Sequence, residues 1–170
     1  LEEYDALVIG VRAFNSDKSL LNIKPQLIKY MNNGGNVIVQ YNTSRNLDVN
    51  KFAPYPFKLS RNRVSQEDAP VYIINKNHPV LNSPNKITTD DFDGWIQERG
   101  LYFPNTWSSE YQTVISSNDE GEDRNDGGIL IAEVGEGYFI YTSYSWFRQL
   151  PAGVTGAYKI FSNLLSMNKK

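Results

Sequence analysis

One stretch near the start of the chain decides the fold: residues 4–42, YDALVIGVRAFNSDKSLLNIKPQLIKYMNNGGNVIVQYN. Its beginning, Tyr4–Val11, is a nearly continuous apolar run, typical of a strand that is buried on both faces. A helix is predicted next, because apolar residues recur at helical spacing ahead of a Gly-Gly pair that ends it. Asn36–Asn42 is predicted to be a second buried strand. Strand, helix and strand in this order form a βαβ unit, in which the two strands are parallel.

The rest of the chain extends this unit into a layered α/β fold. Residues 43–70 lack helical or strand periodicity and are predicted to form an irregular excursion with one short strand near residues 56–60. The stretch ILIAEVGEGYFIYTSY, residues 129–144, predicts an antiparallel hairpin with a GEG turn. A final helix is predicted from an apolar stripe formed by Ala157, Ile160, Phe161, Leu164 and Leu165.

We therefore predict an α/β fold built on a central, mostly parallel sheet, with an antiparallel hairpin toward one edge and a C-terminal helix packed against it. Further strands are predicted at residues 71–75 and 111–118. A chain of 170 residues is long enough for one sizeable core, so residues 1–170 are predicted to form a single domain.

Composition excludes several kinds of chemistry. The chain has no Cys and a single His, His78, which rules out a disulfide framework, a thiolate nucleophile and a metal site built from several His residues. We expect neither a bound metal nor a cofactor. A formal net charge of -2 gives no electrostatic reason to expect a nucleic-acid partner.

Targeting signals are also absent from the sequence. No run approaches the roughly 18 apolar residues of a membrane span, and no signal peptide is present. The chain lacks an initiator Met and opens almost at once on a strand, so we interpret it as an N-terminally truncated fragment of a longer protein. The absence of Cys favours a periplasmic or extracellular location.

The predicted strand ends supply the first candidate ligand-binding residues. In open α/β sheets, ligands bind beyond the carboxyl ends of the strands, and three predicted strands end in polar or aromatic residues. We call this set the predicted rim. An alternative interpretation is that these are ordinary turn-forming residues at strand ends. The predicted rim comprises Arg12, Asn15, Tyr41, Asn42, Tyr144, Trp146 and Arg148.

The segment DDFDGWIQERGLYFPNTW, residues 90–107, supplies a second candidate group. Here Trp95, Glu98 and Arg99 are predicted to lie beside the rim and to contact a ligand, with Glu98 as a conceivable general acid or base. In the alternative interpretation, the arginine and glutamate tie loops together and the aromatic residues pack, since aromatic rings usually do. The aromatic residues of this alternative are Trp95, Tyr102, Phe103 and Trp107.

A hydrolase is the alternative function, with Glu98 acting alongside His78 and Tyr41. Its weaknesses are visible in the sequence. A lone carboxylate is a weak signal for glycosidic hydrolysis, which usually requires a pair of carboxylates. His78 lies in a His-Pro turn, where a histidine more often forms loop hydrogen bonds than catalyses. The stretch YTSYSW also lacks the Gly-x-Ser-x-Gly context of a nucleophile elbow.

Several long stretches resemble the C-terminal region of large bacterial proteins that carry a PIG-L (LmbE-like) deacetylase domain. They are YDALVIGVRAFN, NNGGNVIVQYNT, PYPFKLSRNRVSQEDAPV, HPVLNSPNKITTDDFDGWIQERGLYFPNTW and GEGYFIYTSYSWFRQLPAGVTGAYKIFSNLLS. That region is similar to class I glutamine amidotransferase-like domains of the ThuA-like group. The resemblance implies a flavodoxin-like three-layer sandwich. It also implies a parent protein that is a zinc-dependent N-acetyl sugar deacetylase.

The departures from that family predict the loss of catalysis in this part of the chain. Tyr41 stands where an active glutamine amidotransferase has its nucleophilic Cys, and Tyr has an unperturbed pKa of about 10. No His follows the late strand, and the deacetylase's acid- and His-rich cluster is absent. We therefore predict a non-catalytic accessory domain that binds carbohydrate or docks the deacetylase domain of the same chain.

Overall fold

The structure, a computed structural model, describes residues 1–167. The strands in this part of the chain are β1 (Ala6–Ile9), β2 (Asn36–Gln40), β3 (Phe57–Leu59), β4 (Arg63–Val64), β5 (Val71–Ile73), β6 (Gly100–Leu101), β7 (Pro104–Trp107), β8 (Gln112–Thr113), β9 (Ile115–Ser117), β10 (Ile129–Val134) and β11 (Gly137–Thr142). The α-helices are α1 (Ala13–Ser16), α2 (Lys24–Asn32), α3 (Trp146–Gln149) and α4 (Thr155–Leu165).

Short 3-10 turns join these elements at Lys18–Asn22, Val49–Lys51, Pro79–Leu81, Thr89–Phe92 and Asp126–Gly128.

A five-stranded mixed sheet with the order β1-β2-β11-β10-β8 forms the centre of the molecule. β2 pairs in parallel with β1 on one side and with β11 on the other, whereas β10 pairs antiparallel with both β11 and β8. The βαβ unit, the β10–β11 hairpin and the C-terminal helix are thus confirmed. The expectation of a mostly parallel sheet is corrected to a mixed one, because the hairpin contributes two strands to the sheet.

β1 differs from its prediction. It pairs only with β2 and so forms an edge of the sheet, where Val8 is 38% exposed. The expectation of burial on both faces is therefore wrong for this strand. An apolar run alone cannot distinguish a central strand from an edge strand, because the distinction depends on which partners the rest of the chain supplies.

Apolar side chains from the two faces of the sheet form two separate core clusters. β2 alternates between them: Val37 and Val39 pack with α2 in one cluster, while Ile38 packs with α4 in the other. The predicted stripe of α4 is confirmed, with Ile160 and Leu164 at its buried centre. Each helix thus covers apolar side chains that the sheet would otherwise expose.

The long excursion between β2 and β10 forms three two-stranded pairs, β3–β7, β4–β6 and β5–β9. The strand predicted at residues 111–118 divides into two strands with different partners. β8 joins the central sheet, whereas β9 pairs with β5. Val114 marks the division: it is fully buried, and its carbonyl accepts hydrogen bonds from the backbone N–H groups of Ile74 and Asn75.

α4 approaches the 3-10 turn Thr89–Phe92 so closely that no side chain fits between them. A Cβ added to Gly156 would overlap the backbone carbonyl of Asp91. Lys159, on the same helix, fixes this approach through a salt bridge of 2.8 Å between its Nζ and Oδ1 of Asp91.

We expect Gly156→Ala to destabilise the protein by about 2 kcal/mol, because the overlap costs more than the roughly 1 kcal/mol that Ala gains over Gly within a helix. Thr155→Ala, at an exposed position on the same turn, is the control and should change stability by less than about 0.5 kcal/mol. Chemical denaturation measures both variants. A more stable Gly156→Ala variant would contradict the close approach.

Candidate functional site

The carboxyl ends of the three parallel strands meet at one edge of the central sheet. The register pairs Val39 of β2 with Ile9 on one side and with Tyr141 on the other, so the strands end at the same level. Beyond this level, the backbone N–H of Arg12 donates to the carbonyl of Tyr41 over 2.8 Å. The segments that follow β1 and β2, which carry members of the predicted rim, are therefore adjacent.

A cavity of about 540 Å³ lies at this edge. We call it the arginine cavity. Its size falls within the range of about 300 to 1,000 Å³ that small-molecule sites occupy. None of the lining residues is a carboxylate or a histidine. The lining residues are Arg12, Thr43, Ser44, Arg45, Arg61 and Tyr102.

Two residues of the arginine cavity adopt a backbone conformation that non-glycine residues rarely adopt. Arg12 has a φ of 57° and Tyr102 a φ of 55°, both in the left-handed region. Such residues cost free energy, and they concentrate at binding sites where the surrounding structure holds them in place. Arg12 is held by its hydrogen bond to Tyr41. Two of the four non-glycine residues with positive φ in residues 1–167 thus line the cavity; the other two are Asn46 and Gln97.

Tyr41 lies next to the arginine cavity, against Tyr102, and offers no reactive group. It is 8% exposed, and its ring stacks on Tyr102 at a centroid distance of 6.1 Å and an interplanar angle of 3°. Burial raises the pKa of the Tyr41 hydroxyl; the guanidinium groups of Arg12 and Arg148 oppose this rise only in part. A tyrosine with a raised pKa stays protonated at neutral pH and cannot replace a thiolate.

Glu98 reaches the same edge, where its charge is paired with that of Arg148. Its Oε1 lies 2.7 Å from Nε of Arg148, and the glutamate side chain is only 17% exposed. Ser145 and Gln149 fix the loop, since the hydroxyl of Ser145 donates to the carbonyl of Glu98 and the side chain of Gln149 accepts from the N–H of Ile96. The structure thus brings Glu98 and Arg148 together as an ion pair near Tyr41.

The two asparagines of the predicted rim, Asn15 and Asn42, form hydrogen bonds within the protein at this edge of the sheet. The side chain of Asn15 forms two hydrogen bonds with the backbone of Thr43, one as donor and one as acceptor. Asn42 is fully buried, and its backbone N–H donates to the hydroxyl of Tyr141 over 2.8 Å. Both residues therefore position the loop that follows β2 rather than facing the arginine cavity.

Three aromatic residues predicted to contact a ligand lie in the core instead. Trp95 is 3% exposed and its indole N–H donates to the carbonyl of Asp91, while Tyr144 and Trp146 are fully buried and pack against Trp95. Their polar atoms are satisfied within the core. The alternative interpretation, in which the aromatic residues of this segment pack, describes Trp95 correctly.

Arg99 is a buried structural residue. Its guanidinium group donates to the carbonyl of Ala69 through two nitrogens, at 3.1 and 2.8 Å, and to the carbonyl of Phe92 through the third. Burial lowers its pKa, and the tyrosine and carboxylates around it counter that effect. Arg99 thus ties the segment after β4 to the segment before β6 and does not reach the arginine cavity.

His78 lies at the opposite end of the sheet from Tyr41. Its Nδ1 accepts from the N–H of Val80 and so caps the 3-10 turn Pro79–Leu81. The side chain of Asn163, near the end of α4, donates to the carbonyl of Val80 in that turn. The side chain of Asn36, at the start of β2, donates to the carbonyl of Leu165, the last residue of α4. Burial lowers the pKa of His78. The structure therefore does not bring His78 to Glu98 and Tyr41.

Several residues of the arginine cavity escaped the sequence analysis. Arg45 and Arg61 lie in the stretch predicted only as an irregular excursion, and Thr43 and Ser44 follow the strand end that was considered. For Tyr102, the sequence predicts only packing. The signal that could have identified Arg45 was its position on the loop that leaves the carboxyl end of β2, a parallel strand.

Two further properties concern residues 1–167 as a whole. In this part of the chain, no group of three or more His, Asp and Glu side chains is arranged to hold a metal ion. None of the helices described there combines the length and the apolar character needed to cross a bilayer.

Comparison with known proteins supports the fold alone. No family model and no curated protein matches the chain. Among solved structures, a cytoplasmic protein of Salmonella typhimurium is 14% identical, with a TM-score of 0.61 over 98% of this chain and 72% of that one. PurLQS of Thermotoga maritima is 13% identical, with a TM-score of 0.59 over 99% of this chain and 82% of that one.

A third similar structure is the β-galactosidase from Rahnella sp. R3, which is 10% identical, with a TM-score of 0.60. The match spans 99% of this chain but only 23% of the β-galactosidase. The chain therefore corresponds to a small part of that enzyme, and at this identity the likeness extends to the fold and not to the activity.

We expect Arg99→Met to lower the free energy of unfolding by about 2 kcal/mol or more, because the carbonyls of Ala69 and Phe92 lose their charged donor while buried. Arg63→Met, at an exposed position on β4, is the matched control and should shift stability by less than about 0.5 kcal/mol. Urea denaturation measures both. An unchanged stability for Arg99→Met would show that the buried hydrogen bonds contribute little.

Tyr41 should titrate later than an ordinary tyrosine. Because burial raises its pKa, its hydroxyl stays protonated when exposed tyrosines ionise at a pH of about 10. Tyr41→Phe should therefore leave the ultraviolet tyrosinate signal unchanged up to that pH. A tyrosinate signal near neutral pH that disappears in Tyr41→Phe would instead reveal an activated nucleophile.

Proposed function

We propose that this chain is a non-catalytic accessory domain of a PIG-L/LmbE-like N-acetyl sugar deacetylase, and that it binds carbohydrate at the carboxyl-end edge of its sheet. The observation that carries the proposal is the arginine cavity, which lies where α/β sheets bind ligands and combines hydroxyl, guanidinium and aromatic groups. In this proposal, the fold is a flavodoxin-like three-layer sandwich of the class I glutamine amidotransferase-like, ThuA-like group.

The absence of a reactive pair in the cavity supports binding rather than catalysis. A serine nucleophile requires a base within hydrogen-bond reach, and none of the six lining residues can act as one at neutral pH. Nearby, Glu98 is held by Arg148, and Tyr41 is stacked and protonated. The hydrolase alternative with Glu98, His78 and Tyr41 also lacks the shared location that it needs.

The groups of the cavity suit a hydroxyl-rich ligand. Thr43 and Ser44 can donate or accept hydrogen bonds, and the arginines can only donate. The half-buried ring of Tyr102 offers a flat apolar surface on which the C–H face of a sugar can pack. Its stacking on Tyr41 holds that ring in a fixed orientation, so that little conformational entropy is lost on binding.

Docking of a deacetylase domain of the same chain is the second candidate function. The exposed edge of the sheet favours it, since Val8 of β1 and Tyr4, just before that strand, are exposed apolar or aromatic residues. An unpaired edge strand is also a ready template for association with another segment of polypeptide. The two candidate functions use different surfaces, so both can hold for one chain.

Isothermal titration calorimetry against a panel of N-acetylated glycans tests carbohydrate binding. We expect measurable heat with at least one neutral glycan, and we expect Tyr102→Ala to weaken that binding about three- to tenfold through loss of the ring surface. Tyr4→Ala is the control, because it removes an exposed tyrosine at the other end of β1 and should leave binding unchanged. No heat with any glycan at millimolar concentration would refute the proposal.

A further inference from the structure

The arginine cavity contains an unusual concentration of positive charge. Three of its six lining residues are Arg12, Arg45 and Arg61, and none of the six is acidic. The chain as a whole has a formal net charge of -2, with 19 acidic and 17 basic residues. The positive charge of the cavity therefore does not follow from the overall charge of the chain, which has the opposite sign.

In the described part of the chain, the three guanidinium groups are engaged neither by a carboxylate nor by a hydrogen-bond acceptor. Within residues 1–167, none of them takes part in a salt bridge or donates a side-chain hydrogen bond. By contrast, Arg99 and Arg148 in the neighbouring segments are both engaged, the first by backbone carbonyls and the second by Glu98. Each free guanidinium therefore keeps its five N–H donors available to a ligand.

Like charges around one concave surface repel one another and focus a positive potential into it. No carboxylate of this cavity relieves the repulsion; Asp119, Glu122 and Asp123 line a separate cavity that shares only Arg61 with it. An anionic group bound between the arginines would relieve the repulsion. Guanidinium groups also match the geometry of phosphate, sulfate and carboxylate oxygens, which they bind through paired N–H donors.

We propose that the arginine cavity recognises an anionic group, namely the phosphate, sulfate or carboxylate of an acidic sugar. The sugar part of this statement rests on the proposed function, whereas the anion part rests on Arg12, Arg45 and Arg61 alone. Arg12 is the fixed member of the three, because its backbone is bonded to Tyr41. Arg45 and Arg61 approach from the loop after β2 and from the turn between β3 and β4, so the site joins two separate parts of the chain.

The hydroxyl groups of Thr43, Ser44 and Tyr102 complete the site with neutral partners. They can bind the uncharged hydroxyls of the same sugar while the arginines bind its anionic group. Glu98 does not oppose the anion, because it does not line the cavity and its charge is paired with Arg148. The preference for an acidic over a neutral sugar thus follows from the charge of the lining.

Calorimetry with four probes tests the inference: inorganic phosphate, glucuronate, N-acetylglucosamine 6-sulfate and neutral N-acetylglucosamine. We expect the acidic sugars to bind at least about tenfold more tightly than the neutral one, and their affinity to fall as the salt concentration rises. We expect Arg45→Gln and Arg61→Gln each to weaken binding of the acidic sugars about tenfold. Both positions are exposed, so the variants should keep the wild-type unfolding temperature.

Arg63→Gln is the matched control, since it removes the same charge two residues from Arg61 at an exposed position outside the cavity. Equal weakening by Arg61→Gln and Arg63→Gln would overturn the inference, because it would show a general effect of net charge. Equal affinity for neutral and acidic sugars would also overturn it while leaving carbohydrate binding intact. Binding of phosphate but of no sugar would support the anion site and refute the carbohydrate function.

Discussion

The pairing of β2 on both sides is the constraint on which the rest of the structure depends. Because β1 and β11 both run parallel to β2, β2 is paired on both sides from Asn36 to Val39, and its side chains can be apolar on both faces. Helices must then cover both faces, and α2 and α4 do so. The aligned register also places the carboxyl ends of three strands at one level, which creates the edge where the arginine cavity lies.

The long excursion between β2 and β10 has a specific role at this edge. Two of its buried residues hold it in place: Trp95 packs in the core, and Arg99 donates hydrogen bonds to the carbonyl of Ala69. That anchoring presents Glu98 to Arg148 and brings Tyr102 onto Tyr41. The segment 90–107 thus has two roles: Trp95 and Arg99 pack in the interior, whereas Glu98 and Tyr102 shape the surface at the edge of the sheet.

Much of the fold could be predicted from the sequence, because its local signals are strong. The βαβ unit, the GEG hairpin and the stripe of α4 follow from hydrophobic periodicity and turn residues, which depend on neighbouring residues only. The order of the strands could not be predicted. The edge position of β1, the central position of β11 and the division of residues 111–118 at Val114 all result from pairing between distant segments.

By itself, the sequence determined which chemistry the chain lacks, since the absence of Cys and the single His are matters of composition. It also located Arg12 and Tyr41 just beyond strand ends, where the structure places them side by side. Only the tertiary structure decided that Trp95, Tyr144 and Trp146 are core residues and that Arg45 and Arg61 line a cavity. Whether an aromatic or a charged side chain faces the core or a ligand depends on residues that are remote in sequence, and the folded chain alone brings them together.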